Sequence, residues 1–331
     1  MNAVVVEALV KRFPSTSLRA GPSTSLRAGG SITALDRVSF NVASGELFGF
    51  IGPDGGGKTT LFRILVTLLE PDAGRATVLG RDVVKDYRAL RQRVGYMAGR
   101  FSLYPDLSVE ENLRFFASVF GTTIQSEYAR IAPIYSQLEP FKARRASALS
   151  GGMKQKLALC CALVHRPEIL ILDEPTTGVD AVSRREFWEL LATLKQGGLT
   201  TVVSTPYMDE ANRCDHVALI HRGRLLAVDS PDGIIRAFDR PLLGVRADAR
   251  YTALLALRQY EHAHSVYPFG DVIHYTDTRK DAPLEQLTAN VRAFLASQGF
   301  AGATVEPIQP TVEDSFIART GSDDELQAGA A

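Results

Sequence analysis

The stretch Gly52-Pro53-Asp54-Gly55-Gly56-Gly57-Lys58-Thr59 decides the interpretation of this chain. It fits the pattern G-x-x-x-x-G-K-[ST], in which a glycine-rich turn stands between a strand and a helix. The context agrees, because the apolar run at residues 47–51 precedes the turn and residues 58–69 have a helical composition. The sequence therefore predicts a strand, a tight turn and a helix in direct succession.

Each residue type in this turn has a physical reason if the turn binds phosphate. Glycines let backbone N–H groups close around phosphate oxygens, and the N-terminus of the following helix adds partial positive charge. Lys58 then reaches the β- and γ-phosphates, and the Thr59 hydroxyl ligates Mg²⁺. The turn, extended to Thr60, is the predicted site of a nucleoside triphosphate.

Length, charge and cysteine content indicate which classes of protein this chain can belong to. The chain has 331 residues, enough for two domains, and its 37 Lys and Arg balance 37 Asp and Glu. This zero net charge lacks the basic footprint of nucleic-acid-binding proteins, so no nucleic-acid partner is expected. The cysteines at 160, 161 and 214 suit a reducing compartment. With no secretory signal and no apolar stretch of about 18 residues, a cytosolic location is expected.

Apolar strands alternate with helical segments after the turn. Residues 169–172 and 200–203 have the apolar or β-branched composition of strands buried on both faces. Helices are predicted over residues 109–120, 127–138 and 183–195, and from Ser150 onward. This alternation predicts a parallel α/β sheet.

An acidic pair closes the strand at residues 169–172. Asp173 can hold Mg²⁺ through water, and Glu174 can then act as the general base that polarises the attacking water. Alone, an apolar strand that ends in Asp-Glu is a weak signal. Its position downstream of the glycine-rich turn makes the signal strong.

The stretch Leu149-Ser150-Gly151-Gly152-Met153-Lys154-Gln155 is a third motif. Ser150 is a good N-cap, and Gly151 and Gly152 expose the first N–H groups of the next helix, which makes a second anion site. One chain rarely needs two sites for a γ-phosphate. The motif therefore predicts that Ser150, Gly151 and Gly152 cap a nucleotide bound to another subunit.

Together, residues 52–60, 149–155 and 172–175, followed by Gly178-Val179-Asp180, resemble the ATP-binding subunit of an ABC transporter over residues 3–238. The resemblance implies a P-loop NTPase cassette with a RecA-like core, an antiparallel β subdomain and a helical subdomain. It implies a dimer that encloses ATP and Mg²⁺, and a membrane permease that the dimer drives from the cytoplasmic face. By motif position, Phe13 would stack on adenine and Asp180 would lie at the dimer seam.

The chain changes character near residues 234–241. The predicted order of elements from residue 242 to residue 308 is βαββαβ, a ferredoxin-like pattern. This part, residues 239–320, resembles the accessory domain of the daunorubicin-resistance-like, drug-exporting branch, and a flexible tail is predicted over 321–331. The octapeptide PSTSLRAG occurs twice in succession, which predicts a flexible loop insertion at residues 14–29.

Two positions depart from the family pattern. The family normally has a glutamine where this chain has Gly99, and a histidine where it has Pro206. Losing one preorganised donor in an active site costs about 3 kcal/mol, or roughly 10²–10³ in rate. The sequence thus predicts good ATP binding with weakened hydrolysis, similar to the first cassette of tandem-cassette exporter ATPases.

Two other functions stay open at this point. A regulatory nucleotide-binding subunit of a heterodimeric ABC ATPase is favoured by Gly99 and Pro206 and disfavoured by Glu174. A soluble ABC ATPase outside transport usually has two cassettes or long coiled-coil inserts, and this chain has neither. The transported substrate and the choice between homodimer and heterodimer are also left open.

Overall fold

The computed structural model describes residues 1–14, 31–99 and 103–328, with side chains described as far as residue 320. The predicted insertion at 14–29 lies outside this range apart from Pro14, as do residues 100–102. The chain divides into two compact units, Met1–Pro231 and Asp232–Ala331. This division falls a few residues before the boundary that the sequence predicts at 238/239.

Strands of the first unit form two sheets, of order β2-β1-β4-β5 and β10-β9-β3-β8-β7-β6. Its strands are β1 (Asn2–Pro14), β2 (Ser31–Ala43), β3 (Leu47–Ile51), β4 (Ala73–Val78), β5 (Arg81–Asp82), β6 (Val94–Met97), β7 (Ile169–Asp173), β8 (Thr200–Thr205), β9 (His216–His221) and β10 (Arg224–Asp229). Its helices are α1 (Lys58–Leu65), α2 (Tyr87–Arg91), α3 (Val109–Val119), α4 (Ile124–Tyr135), α5 (Gly151–Leu163) and α6 (Ala181–Gln196), and α7 (Pro231–Arg236) spans the division.

The larger sheet is parallel from β6 to β9, with β10 antiparallel at its edge. Every residue of β3, β7 and β8 is buried, and for β7 and β8 this confirms the prediction of strands covered on both faces. The register pairs Asp173 with Ser204 and Ile51 with Thr205. The carboxyl ends of β3, β7 and β8 therefore meet at one edge of the sheet, the usual place for ligands in such folds.

Packed aromatic side chains anchor the two elements, β3 and α1, that flank the glycine-rich turn. The Phe50 ring on β3 lies edge-on to Phe40 of β2, with centroids 4.7 Å apart, and edge-on to Phe62 of α1 at 5.7 Å. All three side chains are buried in one core with Leu61 and Ile64. Helix α1 is thus anchored by its apolar face, and the turn before it is held between two packed elements.

Capping residues set the starts of the helices. The predicted helix at 127–138 is displaced, because Thr123 and Ser126 form a capping box that starts α4 at Ile124. Helix α6 begins at Ala181 rather than residue 183, because the Asp180 carboxylate accepts hydrogen bonds from Val182 N and Ser183 N at 3.1 and 3.0 Å. The predicted helix after Ser150 is confirmed as α5.

The second unit has the predicted βαββαβ order. It contains β11 (Leu242–Arg246), α8 (Arg250–Arg258), β12 (Ala263–Phe269), β13 (Val272–Asp277), α9 (Leu284–Ser297), β14 (Thr304–Pro307) and α10 (Val312–Ala328). The antiparallel sheet has the order β12-β13-β11-β14. Helix α10 runs past Gly321, where the sequence predicts a flexible tail, and its Glu325, Leu326 and Gln327 are strong helix formers.

None of the helices within the described residues combines the length and the apolar composition that a membrane crossing needs.

Candidate functional site

The glycine-rich turn joins the carboxyl end of β3 to the first residue of α1. Gly57 has a φ of 103°, and a Cβ there would lie 2.5 Å from the carbonyl oxygen of Ala34. A Cβ at Gly52 would lie 2.0 Å from the carbonyl oxygen of Ile220. Only glycine fits at these two positions, so the turn is pressed against both β2 and β9.

A cavity of about 140 Å³ opens at this turn, lined by Ala34, by residues 55–60 and by Glu174. The Lys58 side chain is 3 % exposed. Its Nζ donates to the carbonyl oxygens of Gly52 and Pro53 at 2.7 and 3.1 Å, and it lies 3.2 Å from Glu174 Oε1. The structure thus brings the predicted phosphate ligand and the predicted base to one small cavity.

The acidic pair is held by the neighbouring strand β8. Asp173 is buried, and its Oδ1 accepts a hydrogen bond of 2.7 Å from Ser204 Oγ. Glu174 has a φ of 49°, in the left-handed region that costs a residue with a Cβ about 1–3 kcal/mol. Its backbone N–H donates to Ser204 O and Ser204 Oγ at 3.1 and 2.9 Å.

A buried glutamate links the loops that follow β7 and β8. Glu210 is 3 % exposed, and its Oε2 accepts hydrogen bonds from Thr176 Oγ1, at 3.1 Å, and from Thr205 Oγ1. Its other oxygen lies 3.8 Å from Nε of Arg184 on α6. Sequence reasoning overlooked Glu210 and Ser204, although a serine that closes an apolar strand is a detectable signal.

The two residues that depart from the family pattern, Gly99 and Pro206, lie at different places relative to this acidic pair. A Cβ at Gly99 would lie 3.0 Å from Asp173 O and 3.7 Å from Glu174 Cβ, so position 99 adjoins both acidic residues. Pro206 follows the last residue of β8 directly. Neither residue carries a side-chain hydrogen-bond donor.

The remaining predicted residues lie elsewhere in the first unit. Ser150 caps α5, with its Oγ accepting from Met153 N at 3.3 Å, and Asp180 caps α6. The hydrogen bond from Ser183 N lowers the pKa of the Asp180 carboxyl. Phe13 pairs with Ile32 at the end of β1. Among the described residues, none of the predicted Phe13, Ser150, Gly151, Gly152 and Asp180 lines the cavity at Lys58.

The parallel sheet, the glycine-rich turn before α1 and the capped helix α5 define a P-loop nucleoside-triphosphate-binding cassette. A sequence profile described as ABC transporter matches residues 35–177. The daunorubicin resistance ATP-binding protein DrrA3 of Streptomyces coeruleorubidus is 34% identical over 309 residues, which cover 91% of this chain and 95% of that protein. The chain belongs to the family of ABC transporter ATP-binding proteins.

Two further comparisons agree. The probable multidrug ABC transporter ATP-binding protein YbhF of Escherichia coli (strain K12) is 44% identical over 207 residues, or 62% of this chain. That match spans only 36% of the length of YbhF. A solved structure described as the ATP-binding subunit of an ABC transporter has a TM-score of 0.59 at 28% identity, covering 71% of this chain and 93% of the other. The predicted family and cassette fold are confirmed.

Proposed function

We propose that this chain binds and hydrolyses ATP as the energising subunit of an ABC-type membrane exporter, with weakened hydrolysis of its own. The observation that carries the proposal is the cavity where the turn at residues 55–60, the buried Lys58 ammonium and the Glu174 carboxylate meet. The names of the relatives DrrA3 and YbhF, which refer to daunorubicin resistance and to a multidrug transporter, support export as the process.

The residues around the cavity fit a triphosphate with its metal ion. Backbone N–H groups among residues 55–60 and the Lys58 ammonium bind the phosphate oxygens. Thr59 and, through water, Asp173 would hold Mg²⁺, and both offer the oxygen ligands that this ion prefers. The buried Asp173 carboxylate has one oxygen engaged by Ser204, which leaves the other for that task. When bound, the ion neutralises charge on the phosphates.

Glu174 is the proposed general base. Its carboxylate lies 3.2 Å from Lys58 Nζ, so it reaches the part of the cavity where the terminal phosphate would lie. There it takes a proton from the water whose oxygen attacks the γ-phosphorus in line, while the bond from that phosphorus to the bridging oxygen breaks and ADP leaves. Gly99 and Pro206 provide no side-chain donor to hold that water or the phosphate, and so turnover is slow.

A second cassette completes the proposed machine. Ser150 and Gly151 are exposed at the N-terminus of α5, where they are free to cap a nucleotide held by a partner ATPase subunit. Phe13 would stack on adenine, and Asp180 would lie at the seam of the dimer. The dimer drives a transmembrane permease from the cytoplasmic face of the cell membrane. Residues 3–238 form the cassette and residues 239–320 the accessory domain.

The steady-state ATPase rate of the purified protein tests this proposal. We expect Pro206→His to raise kcat by roughly tenfold or more, because it restores one donor at the site. Pro206→Ala is the matched control, since it removes the ring without adding an imidazole, and it should leave kcat low. The affinity for ATP should change little in either variant. A fast parent enzyme with no gain in Pro206→His contradicts weakened hydrolysis, and failure to bind ATP contradicts the function itself.

The absence of side-chain donors at positions 99 and 206 also favours a second candidate, a regulatory nucleotide-binding subunit in a heterodimer. Glu174→Gln separates the two functions. If this chain hydrolyses ATP, the substitution abolishes the residual turnover. If the chain is regulatory, the turnover of the purified protein is at background and the substitution leaves it there, while ATP binding persists.

A further inference from the structure

We propose that Ser204 is a positioning residue for hydrolysis, whose hydroxyl orients the Asp173 carboxylate and holds the Glu174 backbone in its productive conformation. This inference rests on the proposed function and specifies how the acidic pair is prepared for it.

The geometry forms a directed chain of hydrogen bonds. Ser204 is fully buried near the carboxyl end of β8, and the strand register sets it opposite Asp173. Its hydroxyl donates to Asp173 Oδ1 at 2.7 Å and accepts from Glu174 N at 2.9 Å. A hydroxyl has one donor and two acceptor lone pairs, so both bonds form at once. One side chain therefore contacts both members of the acidic pair.

The backbone of Glu174 needs such support. A φ of 49° is unfavourable for a residue with a Cβ, and it persists only where the surroundings impose it. The Glu174 N–H is fixed by the Ser204 hydroxyl and by the Ser204 carbonyl oxygen, at 2.9 and 3.1 Å. Because this conformation directs the carboxylate toward Lys58, loss of the hydroxyl loosens the position of the base.

The surrounding positions increase the importance of this hydroxyl. Gly99 adjoins the acidic pair, and Pro206 follows two residues after Ser204, and neither has a side-chain donor. Ser204 supplies a donor from within the sheet, on the side of the acidic pair away from solvent. Its position is fixed by the ladder between β7 and β8 and does not depend on a mobile loop.

Strand β8 contains its own control residue. Thr201 is also fully buried, and its hydroxyl has no hydrogen-bond partner among the residues that the structure describes. Of the buried hydroxyls on this strand, that of Thr201 makes no hydrogen bond to the described residues and that of Ser204 makes two. Thr201→Val removes the first with little change of shape, and Ser204→Ala removes the second.

The test compares both variants with the parent in three measurements. These are single-turnover ATP hydrolysis, the affinity for a fluorescent ATP analogue with Mg²⁺ or with EDTA, and thermal unfolding. We expect Ser204→Ala to lower the hydrolysis rate about 10- to 100-fold, the range for a lost hydrogen bond to a charged group. Affinity in EDTA should stay within about twofold, and the gain in affinity from Mg²⁺ should shrink. Thr201→Val should match the parent in hydrolysis and binding.

A second pair keeps the inference testable if Ser204→Ala folds poorly. Ser204→Thr and Ser204→Val add side chains of nearly equal shape to the packed strand, and only threonine keeps the hydroxyl. The threonine variant should hydrolyse ATP faster than the valine variant. Equal rates in this pair, or parental hydrolysis and parental Mg²⁺ dependence in Ser204→Ala, would overturn the positioning role. If the parent itself binds no ATP, the proposed function fails instead.

Discussion

The two compact units bury polar side chains for different purposes. In the first unit, the buried Lys58 lines a cavity, and the buried Asp173 directly precedes Glu174, which also lines it. The hydrogen bonds of Lys58 and Asp173 inside the protein leave capacity for a ligand. In the second unit, the buried Asp314 accepts hydrogen bonds from Tyr267, from His274 Nδ1 at 2.6 Å and from Thr311 N at 2.7 Å. Asp314 also lines a cavity of about 160 Å³, but both of its carboxylate oxygens accept hydrogen bonds from these protein groups.

This difference separates function from stability. The carboxylate of Asp314 joins the first turn of α10 to strands β12 and β13, so it fixes the last helix of its unit. The cavity of the first unit is instead lined by the buried Lys58 ammonium, which a phosphate group can reach. Substitutions at the Lys58 cavity should therefore change ligand binding, and substitutions at Asp314 should change stability.

The largest expected effect is at Lys58. Lys58→Ala removes the buried ammonium that would bind two phosphates, so we expect ATP affinity to fall roughly 10²–10³-fold, or about 3–4 kcal/mol. Isothermal titration calorimetry with ATP and Mg²⁺ measures this loss. Lys156→Ala is the matched control, because Lys156 is a mostly buried lysine of the same unit that pairs with Glu186 at 2.7 Å. Parental affinity in Lys58→Ala would contradict the assignment of the cavity.

Asp314→Asn should lower the stability of the second unit and leave ATP binding unchanged. An amide cannot accept all the hydrogen bonds of the carboxylate, so we expect the second unit to lose about 2 kcal/mol of unfolding free energy. ATP affinity should remain parental. Trp188, the one tryptophan of the chain, is buried in the first unit, so its fluorescence follows that unit while far-UV circular dichroism follows both.

Asp271→Asn is the control for this substitution, because the Asp271 side chain is 87% exposed. The contrast between the units breaks down if Asp314→Asn weakens ATP binding, or if its denaturation curves by circular dichroism equal those of the parent.

The part of the site that could be predicted from the sequence consists of residues that are contiguous in the chain. A strand, a glycine-rich turn and a helix follow each other directly, so Lys58 and Thr59 are placed by local geometry alone. The acidic residues at the end of β7 could be placed because a uniformly apolar strand predicts its own buried position. In the second unit, the succession of short strand-like and helix-like segments was enough to predict the order βαββαβ.

Contacts between distant segments could not be predicted in the same way. The bond between Ser204 and Asp173 depends on the register of β7 and β8, which follows from the packing of the whole sheet. In the sequence, Glu210 is an ordinary polar residue of a short turn. Only the fold shows that the Thr176 and Thr205 hydroxyls donate hydrogen bonds to it. The start of α4 was missed for a local reason, the capping box at Thr123.

The smallest expected effect is the loss of stability in acid that follows from protonation of Asp314, and this loss is absent at neutral pH. Burial would raise the pKa of the Asp314 carboxyl, but the hydrogen bonds from His274, Thr311 and Tyr267 outweigh it, and the pKa lies below its ordinary value. A carboxyl with a lowered folded-state pKa stabilises the fold at any pH above its unfolded value of about 4. That contribution is lost as the pH falls through the lower, folded value.

The parent should therefore lose stability in its second unit below about pH 4, and Asp314→Asn should lose less over the same interval. Asp239 and Asp277 in this unit also have lowered pKa values, but parent and variant share them, so their contributions cancel in the difference. Urea denaturation followed by circular dichroism between pH 7 and pH 3 measures that difference. A constant gap between the two proteins across this range would show that the charge of Asp314 does not carry its stabilising role.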